Sequence, residues 1–107
     1  MKLVLAIVSS EDSMSLIEEL NKNQYQVTKL ATTGGFLKAG NTTLIIGVDD
    51  NKVDEVFEII EKESSRRTEI ITSNSSYDIG RFATFPIEVQ VGGATVFVMD
   101  IEQFKKI

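Results

Sequence analysis

Neither cysteine nor histidine occurs among the 107 residues, and each absence closes a class of chemistry. Without thiols there is no disulfide framework and no thiolate nucleophile. Without imidazole there is no histidine-based acid–base catalysis and no histidine-ligated metal. The lack of cysteine fits a reducing cytosol, so the cytoplasm is the expected compartment. Long apolar runs are missing too: no stretch reaches the eighteen or so residues needed to span a bilayer, and the N-terminal KLVLAIV reads as a buried strand. Positive charge is scarce, with 11 Lys and Arg against 16 Asp and Glu, a net charge of −5. Such a surface gives no long-range attraction to nucleic-acid polymers or anionic membranes, so neither is an expected partner. A small anion remains accessible, because backbone N–H groups and one or two lysines can hold a phosphate locally.

What is present is ordinary for a folded chain. Hydrophobic residues make up 42% and charged residues 25%, and the length suits one domain over residues 1–107. Lys2 to Ser9 is a β-branched apolar run, expected to form a central strand buried on both faces. Ser10 to Asp12 supply cap candidates for an amphipathic helix from about Ser13 to Asn23, with Leu16, Ile17 and Leu20 on its apolar face. Tyr25–Ala31 and Asn41–Val48 read as strands. The Asp49-Asp50 pair then caps a helix whose stripe is Val53, Val56, Phe57 and Ile60.

After Ser64 two strand-like segments, Thr68–Thr72 and Ile87–Val91, flank a polar stretch from Ser73 to Thr84, which together predict a projecting arm. Gly92-Gly93 turns the chain back, Ala94–Asp100 is the last strand, and a short helical end is expected from Glu102. The order β-α-β-β-α-(arm)-β predicts an α+β fold of the ferredoxin-like kind, an antiparallel sheet with both helices on one face. The uncovered face would be rich in Val, Ile and Phe, which predicts a homo-oligomer.

The richest stretch is TKLATTGGFLKAGNTTLIIG, Thr28 to Gly47. Gly34 and Gly35 allow close backbone approach, Phe36 offers a flat face, and Thr28, Thr32, Thr33 and Asn41 donate and accept hydrogen bonds. That set suits a flat, phosphate-bearing small molecule. A glycine turn anchored by Phe36 uses the same residues, and residue types alone leave both readings open.

The segments TKLATTGGFLKAGNTTLIIGV and VQVGGATVFVM resemble those of the PII-like cyclic-di-AMP receptor family, with similarity from Met1 nearly to the C-terminus and least around Ser73–Thr84. The resemblance implies a homotrimeric signal-transduction protein with cyclic-di-AMP bound in clefts between neighbouring subunits. By position, it places ligand contacts on Thr28, Gly35, Phe36, Leu37, Asn41 and Gly47, with Phe97 joining from the last strand. Asn41 would read an adenine edge, amides around Gly35–Leu37 would bond the nucleotide, Phe36 and Phe97 would pack on bases, and Thr28 would donate to a phosphate. This chain departs from the family at Gln26, where an arginine is common, and at Gln24, where an asparagine is. Gln26 then fills a ligand-contact position without its charge, and Lys29 or Lys38 is the candidate substitute.

Asp49, Asp50, Asp54 and Glu55 carry oxygen ligands for a hard cation, yet a helix cap and a solvated helix face account for them, and no metal is expected. No cofactor and no catalytic residue are expected either, since no base is identifiable beside any serine. Two other readings stay beside the receptor: a sensor of ATP or another adenine mononucleotide, and an oligomeric scaffold that binds none. No residue pattern names a downstream partner.

Overall fold

The structure, a computed structural model, describes residues 1–30, 40–72 and 86–107. Most of the glycine loop, with Gly35, Phe36 and Leu37, and the arm tip from Ser73 to Thr84 lie outside the described residues. The elements are β1 (Lys2–Ser9), α1 (Ser10–Lys22), β2 (Val27–Leu30), β3 (Asn41–Val48), a 3-10 turn (Asp50–Lys52), α2 (Val53–Ser64), β4 (Arg67–Thr72), β5 (Pro86–Val91) and β6 (Ala94–Asp100).

Strands β2-β3-β1-β6 form one antiparallel sheet in that order, while β4 and β5 form a separate two-stranded ribbon. Setting the β4–β5 ribbon aside, this is the β-α-β-β-α-β order of the ferredoxin-like fold. The ribbon is the root of the expected arm.

Period-two alternation decides which strand residues meet the helices. Val4, Ala6 and Val8 of β1 and Leu44, Ile46 and Val48 of β3 are buried, and they pack with Leu16 and Leu20 of α1 and Val56, Ile59 and Ile60 of α2. Full burial of a side chain such as Leu16, Leu20, Leu44 or Ile46 stabilises by about 1.5–3 kcal/mol.

The expectation that β1 is buried on both faces is corrected. Leu3, Leu5 and Ile7 are only half-buried, because both helices lie on the other side of the sheet. The α2 stripe is also rotated from its expected position: Ile59 is buried, whereas Phe57 is 40% exposed at the border of a cleft with Arg66 and Gly93.

Helix α1 starts at Ser10, three residues before the expected start. The Ser10 N–H finds a tertiary acceptor, the Gly40 carbonyl at 2.7 Å, so the helix begins without a side-chain cap bond from Ser9. Asp12, a cap candidate, instead sits buried in the first turn and pairs with Arg67. Neither Asp49 nor Asp50 caps a helix through its side chain. Asp49 precedes the 3-10 turn with no cap bond, and Asp50 pairs with the N-terminal ammonium at 2.8 Å. Residues 101–107 are not helical, because seven residues do not offset the cost of helix nucleation and their polar groups find partners elsewhere.

Candidate functional site

The expected site residues on β2, β3 and β6 share the sheet face that the helices leave free. Strand register defines the rows across that face. Thr28 of β2 lies opposite Ile45 of β3, Ile45 opposite Leu5 of β1, and Leu5 opposite Phe97 of β6. A second row runs through Gly47, Leu3 and Met99, and Asn41 lies opposite Ser9 at the far end of β3. Phe97 is 52% exposed and Met99 44%, the behaviour of an apolar face that lacks a cover within the protomer.

Asn41 and Gly47 have the same parity in β3 and are about 20 Å apart at an extended-strand rise. Thr28 and Phe97 stand on opposite edges of the sheet, three strand spacings or about 14 Å from each other. One protomer therefore does not bring these two side chains together.

Gly47 and Gln26 border a cavity of about 330 Å³ with Tyr25, Lys52 and Glu55. A Cβ added at Gly47 would meet nothing within 4 Å among the described residues, so none of their packing requires glycine there. Asn41 borders two other cavities, of about 830 and 340 Å³, which it shares with Gln90 and Gly92 at the root of the arm.

The departure at Gln26 acquires a partner that local pattern could not reveal. After β6 the chain passes the start of β1, where the Ile101 N–H donates to the Met1 carbonyl at 3.2 Å, and continues toward β2. There the Lys106 ammonium donates to Gln26 Oε1 at 3.1 Å, a contact that spans 80 residues of sequence. Lys29, the substitute expected from the sequence, lies opposite Leu44 and so on the helix-facing side of β2, away from Thr28. Lys38 lies outside the described residues.

The Tyr25 hydroxyl is pushed up to about 12, chiefly by burial and further by a hydrogen bond to, and the charge of, Glu55. The folded state thus holds a neutral phenol while the unfolded chain ionises near 10.0. Stability from this group is complete below pH 10.0 and is lost as pH rises through about 12. Wild-type Tm is accordingly expected to fall relative to that of Tyr25→Phe across this window. A constant difference between the two would show that the phenol titrates normally. Among the described residues no three acidic side chains are grouped as a metal ion would require.

A four-stranded antiparallel sheet with two helices on one face and a ribbon inserted before the last strand defines a ferredoxin-like α+β protein. The profile of the cyclic-di-AMP receptor family matches residues 1–107, the whole chain, and the protein belongs to that family. It is also similar to a functionally unknown protein from Pediococcus pentosaceus ATCC 25745, known from a crystal structure. The two share 44% identity over 99% of this chain and 96% of that one, with a TM-score of 0.79.

Proposed function

We propose that this protein is a cytoplasmic cyclic-di-AMP receptor, one domain over residues 1–107 that assembles as a homotrimer. It holds one dinucleotide in each cleft between neighbouring subunits, converts nothing, and uses no cofactor or metal. The observation that supports this reading best is the division of the expected contacts between the two opposite edges of one sheet. Thr28 and Gly47 lie toward the β2 edge and Phe97 on the β6 edge, so a single ligand meets both sets when the β2 side of one copy faces the β6 side of the next. Such head-to-tail contacts close into a ring of three when each copy is turned by a third of a revolution from the last.

In that cleft Asn41 presents a donor and an acceptor to an adenine edge. Guanine offers a different pattern and leaves a buried partner unpaired, at a cost of about 1–3 kcal/mol. Phe97 packs on a base, Thr28 donates to a phosphate, and amides of Gly35–Leu37 bond the nucleotide. Binding changes the order of the Thr32–Gly40 loop and of the arm, and a downstream protein reads the difference. The ligand shifts that equilibrium only by its differential affinity for the two arrangements.

Lys106 fits the place of the missing family arginine. One of its three N–H donors goes to Gln26, and the other two meet no partner among the described residues, so they can turn to a phosphate. Lys106→Ala is expected to weaken cyclic-di-AMP binding about tenfold, the size of one charge-assisted hydrogen bond. Gln26→Arg is expected to tighten it by a similar factor. Calorimetry showing no change for either variant would remove both residues from the site.

The deciding experiment is calorimetry with cyclic-di-AMP, cyclic-di-GMP and ATP, with mass determination by light scattering. One cyclic-di-AMP per subunit on a trimer, with weaker or absent binding of the other two, is the expected result. Preferred binding of ATP would make the protein a mononucleotide sensor, and a trimer that binds none of them would make it a scaffold.

A further inference from the structure

The first turn of α1 touches both segments that border Asn41. On one side the Ser10 N–H donates to the Gly40 carbonyl at 2.7 Å, and Ser10 Oγ shares a hydrogen bond with Thr42 Oγ1 at 2.8 Å. These bonds hold the stretch that leads into β3. On the other side the Asp12 carboxylate accepts two hydrogen bonds from Arg67, from Nη2 at 2.8 Å and from Nη1 at 3.2 Å. Arg67 is the first residue of β4 and pairs across the ribbon with Val91.

The Asp12 side chain is 7% exposed and that of Arg67 39%, so the carboxylate end of this bidentate pair is buried while the guanidinium keeps one side in water. Arg67 Nη1 also reaches the Ser65 carbonyl at 3.3 Å, and the Gly93 N–H donates to the Ser64 carbonyl. Gly92, at φ +80°, lies against this pair. A Cβ there would come within 2.7 Å of Arg67 Nη1, 2.6 Å of the Ser65 carbonyl and 3.2 Å of Asp12 Oδ2. Ser10, Gly40, Asn41, Gln90 and Gly92 all line one cavity of about 340 Å³.

We propose that Asp12 and Arg67 are positioning residues that couple the nucleotide site to the arm. The first turn of α1 is the rigid link between the Gly40–Thr42 entry to β3 and the root of the β4–β5 ribbon. The inference rests on the receptor reading above. A shift of Asn41 on binding is passed through Ser10 to the helix turn, and from Asp12 to Arg67 and Val91. Neither residue of the pair touches the ligand in this arrangement.

The test compares amide hydrogen exchange at residues 86–91 with and without cyclic-di-AMP. The wild type is expected to gain protection there on binding. The double variant Asp12→Ala/Arg67→Met, which removes both charges and strands neither, is expected to bind the dinucleotide about tenfold more weakly, an ordinary coupling between sites. Its residues 86–91 should exchange alike with and without ligand. Thr42→Val, which takes away the partner of Ser10 Oγ and leaves the ion pair, should reduce the same response.

Glu69→Gln is the control, because it removes the other carboxylate near Arg67 Nε, at 3.3 Å, and spares the Asp12 pair. If the Asp12/Arg67 variant does not fold, Thr42→Val and the control carry the comparison. A full response at residues 86–91 in the double variant, or in Thr42→Val when the double variant does not fold, overturns the coupling while leaving the receptor reading intact. So does a wild type that binds without any change there. A wild type that binds no cyclic-di-AMP overturns the receptor reading itself, and the coupling with it.

Discussion

Gly47→Val is expected to leave the protein folded, with unchanged or slightly higher Tm, and to weaken cyclic-di-AMP binding by about 10- to 100-fold, equivalent to the 1–3 kcal/mol typical of an overfilled contact. Glycine inside a strand is costly, since it loses more conformational entropy than any other residue and leaves its neighbours nothing to pack on. Gly47 sits in β3 opposite Leu3, and its backbone does not need the left-handed region that only glycine enters easily. A Cβ there meets nothing within 4 Å among the described residues, so their packing offers no return for that cost. On the receptor reading, glycine leaves room there for a ligand or a neighbouring backbone to approach the strand. Valine is a strong β-former and would suit the strand better, which separates the two effects. Calorimetry and light scattering on the variant distinguish them. Unchanged affinity excludes Gly47 from the site. Lost oligomerisation would instead mean that a neighbouring subunit occupies the space.

Much of the frame was legible because local pattern and tertiary structure agree. The bounds expected for β1, β3 and β6 match those observed, since each is an apolar, β-branched run that ends at a turn residue or an aspartate. Matching parity of Asn41 and Gly47 places them on one face from sequence alone. Register does not follow from sequence in the same way. That Thr28 and Phe97 occupy the two ends of one row depends on pairings between strands far apart in the chain.

The misplaced features share a physical cause. The start of α1 depends on the Gly40 carbonyl, the role of Asp12 on Arg67, and the path of residues 101–107 on Met1 and Gln26. In each, a polar group is satisfied by a partner many residues away, which propensity and spacing do not record. The α2 stripe shifted because Phe57 and Ile59 are both compatible with a helical face, and only the packing angle on the sheet selects Ile59.

The second large effect is a rescue. Phe97→Ala is expected to weaken binding about tenfold or more through lost base packing, and Gly47→Val fails for a different reason on a different strand. If each cleft takes Gly47 from one subunit and Phe97 from its neighbour, dissociating and reassembling an equal mixture of the two variants creates some clefts with both wild-type residues. Random head-to-tail pairing restores about one quarter of the clefts, because each contributing side is intact half the time. Titration of the mixture should then show a tight-binding fraction that neither variant shows alone. A site built within a single chain gives no such fraction, since every chain carries one defect. The sheet geometry allows rescue: Gly47 on β3 and Phe97 on β6 are separated by β1, two strand spacings or about 10 Å, and Phe97 stands on an edge strand that a second copy can approach. Mixtures that titrate as the simple average of their components would place each nucleotide on one protomer and remove the shared cleft.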